Sequence, residues 1–434
     1  MYNSIVLSAG KGTRMQSSSP KVLQELLGSS MISLVLDELI QAKITNNNLV
    51  VGYKKEEIIA SLQGKYSNLQ YGIQEKQLGT GHAVKQLKPL MQNLTGTTII
   101  TCGDTPLVPA QVFQDLIKFH EQNKSKLTIL STEMSNPYGY GRIIRNQQNE
   151  VVKIVEQKDT TTQEAQVKEI NSGIYCVDNH LLFKHIDELN NNNAQQEYYL
   201  TDIIQIFKNY KYQVAAFKIT DEVSLMGVND HINLAKATKV LQRRINNKHL
   251  SNGVKIIDPE NTYISKTVTI GAGTIIYPNN YLSGTTTIGT NNILKLSNYI
   301  EDTSIGNNNQ IGPMAYLRNN TQIENETRIG NFVELKNTDF KTGAKTAHLT
   351  YLGDSVVGEK TNIGCGVITA NYDGQNKHQT VIGNNAFIGS NVNLIAPVKI
   401  GNEVFIAAGT TVTKDIENDK FVIGRSKEQI KDKR

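Results

Sequence analysis

Three stretches of the chain hold residue types that could handle phosphate, a metal ion or a proton. Near the N-terminus, Leu7-Ser8-Ala9-Gly10-Lys11-Gly12-Thr13-Arg14-Met15 is followed by Pro20-Lys21-Val22-Leu23. Its glycines let backbone N–H groups approach a nucleotide, and Arg14 and Lys21 can neutralise phosphate charge. The string lacks the Walker A spacing, and Met15 stands where a dinucleotide fingerprint needs its third glycine. Further on, Thr101-Cys102-Gly103-Asp104-Thr105-Pro106-Leu107 ends a β-rich run with a carboxylate. A hard cation such as Mg2+ prefers oxygen donors of that kind and keeps water and substrate phosphates as its other ligands. In the second half, His348-Leu349-Thr350-Tyr351-Leu352-Gly353-Asp354 interrupts a regular repeat. An imidazole titrates near neutrality, so His348 is a candidate general base.

The elements that must carry the first two stretches alternate. Ser4–Leu7, Asn48–Val51, Asn68–Ile73, Thr97–Thr101 and Lys126–Leu130 read as strands. Met31–Lys43, Lys55–Leu62, Gly81–Leu90 and Pro109–His120 show helical periodicity. This pattern predicts an α/β domain over residues 1–228, a Rossmann-like, mostly parallel sheet covered by helices. The glycine-rich loop then follows the first strand, where such sheets place ligand loops. Arg142–Lys158 reads as an inserted hairpin, and 229–250 as a polar linker helix with Leu234, Leu241 and Ile245 on one face.

From residue 251 helical periodicity disappears, and an aliphatic residue returns every sixth position. Ile264, Ile270, Ile276, Leu282, Ile288, Leu294 and Ile300 keep one register. Ile305, Ile311, Leu317, Ile323, Ile329 and Leu335 keep it after a one-residue slip, and Ile382, Ile388, Leu394, Ile400, Ile406 and Val412 form a third run. Three hexads to a turn, each anchor pointing inward, predict a parallel β-helix over 251–434.

The N-terminal string resembles the sugar-phosphate nucleotidylyltransferases, and the match continues through the first domain. Gln74 and Gln77-Leu78-Gly79-Thr80-Gly81-His82-Ala83 look like that family's base-recognition segment, in which a Gln side chain and the backbone read the pyrimidine edge. Tyr140-Gly141-Arg142, Glu156 and Asn171 resemble its sugar-binding stretches, and Gly227-Val228-Asn229 the segment supplying a second metal ligand. The resemblance thus assigns nucleotide and sugar to Leu7, Ser8, Ala9, Gly10, Arg14, Lys21, Gln74, Gly79, Thr80, Cys102, Gly103, Asp104, Gly141, Glu156, Asn171 and Asn229. It assigns Mg2+ to Asp104 and Asn229. His82, opening a helix, reads as structural.

The His348–Asp354 stretch, Asn371-Tyr372-Asp373-Gly374-Gln375-Asn376-Lys377 and Asn331-Phe332-Val333-Glu334-Leu335-Lys336 closely resemble the acetyltransferase half of a bifunctional family. Its members are N-acetylglucosamine-1-phosphate uridylyltransferases and glucosamine-1-phosphate N-acetyltransferases, and the likeness covers residues 4 to about 425. It implies acetyl transfer from acetyl-CoA to glucosamine-1-phosphate with His348 as base, then uridylyl transfer from UTP to N-acetylglucosamine-1-phosphate. Arg318 and Lys336 would hold the sugar phosphate, and Tyr351 and Asn362 the sugar. Asn371, Tyr372, Ser390, Ala408 and Arg425 would hold acetyl-CoA, with Cys365 beside the same cleft. The hexads resemble the left-handed β-helix acyltransferases, which implies a homotrimer.

Several positions depart from the family pattern: Ser8 for a second Ala, Cys102 for an aromatic, Gln196 for Gly, and Cys365 for a small residue. The tail after Arg425 is also short. The first two touch the nucleotide pocket; Cys365 and the tail touch the coenzyme grip. The rival readings are a single-function nucleotidylyltransferase whose β-helix only oligomerises or regulates it, and a non-enzymatic trimeric scaffold. The first predicts no base in the β-helix, the second neither phosphate loop nor metal ligand.

Composition narrows the partners. With 45 basic and 40 acidic residues the net charge is +5, too small and too spread for nucleic acid. Cys102, Cys176 and Cys365 are far apart and in no metal-ligand spacing, which argues against disulfides and structural zinc. The first residues lack a signal-peptide pattern, and no apolar run is long enough to insert in a membrane. The expectation is a cytoplasmic enzyme of small substrates.

Overall fold

Short β-branched runs bounded by turn residues suit strands buried on both faces. In the computed structural model, which describes residues 2–433, such runs form the sheet of the first of two compact units, Met1–Thr238. In chain order its elements are β1 (Tyr2–Ser8), α1 (Met31–Gln41), β2 (Asn46–Val51), α2 (Lys55–Leu62), β3 (Gln70–Ile73), α3 (Thr80–Lys85) and α4 (Lys88–Met91). There follow β4 (Thr97–Cys102), α5 (Ala110–Gln122), β5 (Leu127–Glu133), β6 (Gly141–Arg145), β7 (Val151–Val155), β8 (Glu169–Asp178), α6 (Asn179–His185), α7 (Ile203–Asn209) and β9 (Val214–Ile219).

The strand order is β9-β5-β8-β4-β1-β2-β3. Only β8 runs against its neighbours along this path, and the β6–β7 hairpin pairs onto it. Adjacent residues of β1 face opposite layers, as a period of two requires. Ile5 packs with Val84, Phe183 and Phe207, and Val6 with Leu36, Leu39 and Phe113. Helices therefore cover both faces.

One expected helix is broken. The periodicity over Gly81–Leu90 predicts a single helix, but the chain forms two, ending at Lys85 and restarting at Lys88. Pro89 has no N–H to donate to the Lys85 carbonyl, so the helix cannot run through. Tight bonds from Gln86 N–H to Ala83 O and Leu87 N–H to Val84 O close the first piece.

The helix α8 spans His231–Ser251, and the change of unit falls within it, after Thr238. Leu241 and Ile245 are buried and Leu234 half-buried. In the second unit, Lys239–Arg434, buried Gln242 and Asn246 donate to the Thr262 carbonyl at 2.7 and 2.9 Å. Two side-chain amides thus satisfy backbone at the start of the β-helix that would otherwise lie open.

The hexads fold as three-faced parallel coils. Anchors pair at a spacing of three hexads: Ile264 with Leu282 and Leu282 with Ile300, Ile276 with Leu294, and Ile270 with Ile288. The slip after Ile300 shortens the next coil without disturbing the stack, since Ile288 pairs Ile305 and Ile300 pairs Leu317. Every anchor named above is buried except Ile270, which is half-buried. Full burial of such side chains contributes about 1.5–3 kcal/mol each.

Two features break the regularity. Strands of two or three residues are the rule, yet Glu334–Phe340 and Tyr351–Val357 each run seven residues and pair with strands of two faces. Next, the pairings Val357–Ile382 and Ile363–Ile388 span a coil lengthened by the loop that carries Asn371–Lys377. Both interruptions coincide with the stretches that could do chemistry.

Candidate active sites

The chain leaves β1 for β2 on one side and returns through β4 on the other, so the loops after β1 and β4 diverge. Such a switch point leaves a crevice at the carboxyl ends of the strands. A cavity of about 260 Å3 lies there, lined by Leu7, Ser8, Ala9 and Gly10 from the β1 loop, with Lys21. Gln74, Gly79 and Thr80 line another side, Cys102 and Asp104 a third. A second cavity of about 200 Å3 shares Leu7, Thr80 and Cys102 and adds Gly141, Glu156 and Asn171. The two hollows adjoin at those shared residues. Gly103 forms the floor, where an added Cβ would lie 2.5 Å from Ser8 Oγ.

Charge concentrates at one edge. Lys21 Nζ is ion-paired with Asp104 and donates to Asn229 Oδ1 at 3.1 Å, while Arg14 Nη2 donates to the same oxygen at 3.0 Å. Asn229 arrives there because Val228 N–H donates to the Asp104 carbonyl. Gly12, with φ of 60°, turns the loop against Lys21, leaving no room for a Cβ. Burial, with the Asp104 carboxylate, pushes the Cys102 thiol up to about 12, so it stays neutral.

In the second hollow, burial raises the Glu156 carboxyl above its usual range, and Thr201 Oγ1 donates to it at 3.3 Å. Asn171 Nδ2 donates to Tyr175 Oη at 2.8 Å, and its own Oδ1 accepts from Gly173 N–H. Arg142 is buried and donates to Gln157 Oε1 at 2.8 Å, so in this stretch it is a strut.

The β-helix assembles its candidates by stacking. Thr346, Ile363, Ile388 and Ile406 are in register, so His348, Cys365, Ser390 and Ala408, each two residues on, form one corner column. Asn331 precedes His348 in that column and accepts from His348 Nδ1 at 2.8 Å. That bond places the ring proton on Nδ1 and leaves the Nε2 lone pair free. Arg425 Nη1 donates to the Ala408 carbonyl at the column's far end.

Beyond the corner, Arg318, Lys336 and Gly353 stack in register. Arg318 is held by Glu334 Oε1 at 2.5 and 3.0 Å and lies 5.0 Å from the Tyr316 ring. The Tyr351 hydroxyl and Asn371 Nδ2 crowd over Gly353, where no Cβ would fit. Asn371 is fixed by Asp354 at 2.5 Å. The long loop is tied by Asp373, whose carboxylate accepts from Gln375 N–H, Asn376 N–H and His378 Nε2. His378 is thus a half-buried strut of that loop. Tyr372 stays exposed on that loop, its hydroxyl on the Gly374 carbonyl.

The loop also delivers a residue that sequence reasoning passed over. Lys377 lies against Lys336 and, with burial and Arg318, holds the Lys336 ammonium below its ordinary range. Three cations side by side suit a phosphate dianion. Asn362 stands apart: it pairs with Lys345 and Phe387 on the face before the corner. Among the described residues, no group of three or more His, Cys, Asp or Glu could hold a metal. No described helix is long and apolar enough to cross a membrane.

Residues 3–223 match the nucleotidyl transferase family model, and residues 302–337 and 379–414 match the bacterial transferase hexapeptide model of six repeats. The chain is 45% identical to the bifunctional protein GlmU of Geobacillus sp. strain WCH70, across 99% of this chain and 96% of that one. It is 43% identical to that of Bacillus subtilis strain 168, across 99% and 97%. The GlmU of Pediococcus pentosaceus is also 43% identical, across 99% of this chain and 95% of its own length. With a nucleotidyl transferase unit, a left-handed hexapeptide β-helix and relatives matched end to end, the chain belongs to the family of bifunctional GlmU proteins.

Proposed function

We propose that the chain makes UDP-N-acetylglucosamine in two steps at two separate sites. In the β-helix, the amine of glucosamine-1-phosphate attacks the acetyl-CoA carbonyl, forming C–N and breaking C–S. His348 Nε2 takes the amine proton, and that proton passes to the departing sulfur, so the coenzyme leaves as a thiol. Arg318, Lys336 and Lys377 hold the sugar phosphate and Tyr351 the sugar, while Asn362, on the preceding face, is assigned to the sugar by the family resemblance alone. Asn371, Tyr372, Ser390, Ala408 and Arg425 line the coenzyme's side, with Cys365 beside them. No acyl-enzyme is required.

In the α/β unit, a phosphate oxygen of N-acetylglucosamine-1-phosphate attacks the α-phosphorus of UTP, forming one P–O bond and breaking the bond to pyrophosphate. The nucleophile is already an anion, so no general base is needed, and positioning with charge stabilisation supplies the rate. Gln74 and Gly79 read the base, Arg14 and Lys21 meet phosphate, and Gly141, Glu156 and Asn171 meet the sugar. Mg2+ fits Asp104 and Asn229: their two side-chain oxygens converge on a single cationic group, Lys21 Nζ. When bound, the ion neutralises phosphate charge. We further infer a cytoplasmic homotrimer that takes small-molecule substrates, on the strength of its GlmU relatives and the hexapeptide repeats.

The observation that carries the two-site reading is an oriented imidazole, His348 on Asn331, at the corner beside a three-cation cluster. A β-helix serving only as a scaffold has no use for either. The test supplies purified protein with glucosamine-1-phosphate, acetyl-CoA, UTP and Mg2+, and reads free thiol and pyrophosphate separately. Thiol release must occur, and pyrophosphate must appear from added N-acetylglucosamine-1-phosphate without acetyl-CoA. A protein that releases pyrophosphate but no thiol is a single-function enzyme.

A further inference from the structure

The loop that brings Lys377 to the phosphate cluster leaves the β-helix at Asn371 and rejoins it at Thr380. Asn371 is fixed by Asp354, and buried Thr380 pairs with Ser355 and Val398. Residues 372–377 are all exposed, and at Gly374, with φ of 101°, an added Cβ would meet nothing. Lys377 must nevertheless stand against Lys336, which is itself flanked by Arg318. With no phosphate bound, like charges push it away. An exposed segment with few outside contacts opens readily unless it is tied internally.

The ties converge on Asp373. Its Oδ1 accepts from the N–H groups of Gln375 and Asn376 at 2.8 and 2.7 Å, and its Oδ2 from His378 Nε2 at 2.7 Å. The first two bonds are local to the turn, whereas the imidazole bond crosses the hairpin. Backbone pairing follows the same path. His378 N–H donates to the Asn371 carbonyl at 2.8 Å, and Tyr372 faces Lys377 in an antiparallel bridge. The Asn376 amide, the His378 ring and the Gln375 amide hold the Asp373 carboxyl far below its usual range, so it is ionised. A carboxylate only accepts, so His378 Nε2 carries a proton whether the ring is neutral or charged. Among the described residues the ring makes no other hydrogen bond.

We propose that His378 is a positioning residue of the acetyltransferase site: bound to Asp373 across the hairpin, it holds Lys377 ready for the sugar phosphate. Both chain neighbours of Lys377, Asn376 and His378, bind the same carboxylate, which fixes the backbone on either side of it. A cation held in place beforehand spares substrate binding the cost of ordering it. The inference rests on the acetyl-transfer reading and on Lys377 meeting phosphate.

The experiment follows thiol release from acetyl-CoA with varied glucosamine-1-phosphate. It compares the unmodified chain, His378→Ala, His378→Gln, Lys377→Ala and the Lys377→Ala/His378→Ala pair, with thermal unfolding to check that each is folded. His378→Ala should raise KM for glucosamine-1-phosphate about fivefold with kcat changed less than about twofold, the scale of one hydrogen bond. His378→Gln, whose Nε2 reaches a similar position, should restore KM. Once Lys377 is gone, removing His378 should raise KM no further, because residues that act through one another are not additive. An unchanged KM in His378→Ala overturns the inference, as does an equal rise with and without Lys377, which would mean a general loosening of the loop. Failure of His378→Gln to restore KM overturns the bond to Asp373 as the cause. If Lys377→Ala leaves KM unchanged, the phosphate role of Lys377 fails and this inference with it. If the unmodified chain releases no thiol, the acetyl-transfer reading itself fails.

Discussion

The two units build their sites in opposite ways. In the α/β unit, Gly10, Gln74, Asp104, Asn171 and Asn229 come from five separate segments, gathered because the parallel strands end, and the antiparallel β8 begins, at one rim. In the β-helix, Asn331, His348, Cys365, Ser390 and Ala408 align because each coil repeats the position of the last. The first design depends on loops held at a crevice. The second uses a rigid ladder, into which one long loop brings Lys377 and Tyr372. Convergence from distant segments allows varied chemistry in one hollow, whereas stacking gives a linear track suited to an extended coenzyme.

That contrast can be broken or sharpened by substitution. The largest effect is expected from His348→Ala, which should lower thiol release by about 10²–10⁴-fold. Pyrophosphate release from added N-acetylglucosamine-1-phosphate should continue; loss of both would show that the units are not independent. Asp104→Ala should do the converse, costing uridylyl transfer about 10²–10³-fold while thiol release persists. An intermediate effect is expected at Lys377→Ala. KM for glucosamine-1-phosphate should rise about tenfold, with kcat less affected, because one of three phosphate cations is lost. An unchanged KM would remove Lys377 from the phosphate site. The smallest effect is expected at Cys365→Ala, with turnover within about twofold, since the amine attacks acetyl-CoA directly. Abolished turnover there would instead indicate a thiol nucleophile.

Much of both folds was legible because the periodic signal was strong. The strand cores at Ile5, Val50 and Ile99 and the hexad anchors all lie where a period of two or six puts them. The helix over 81–90 was misread because one proline outweighs several residues of good periodicity. Lys377 was visible within the Asn371–Lys377 stretch, and its place in the loop could have drawn attention to it. Its contact with Lys336 could not be foreseen, because nothing local joins residues so far apart. The family resemblance groups Asn362 with Tyr351, and the three-faced coil sets the two on different faces, a placement that spacing along the chain does not express. His82 read as the opening of a helix, which it is, while its ring meets Gln74 through a fold-dependent contact.

By itself the sequence determined what local rules can encode. Side-chain periodicity selects which face is buried, and glycines permit the tight loop at Gly12. A six-residue repeat leaves the chain little option but to coil. Only the tertiary structure decided which side chains meet. The Lys21–Asp104–Asn229 cluster, the tautomer of His348 and the orientation of the Gln74 amide each depend on partners brought from elsewhere in the chain. Such contacts are fixed by hydrogen-bond distance and by which atom can donate, quantities no spacing along the chain expresses.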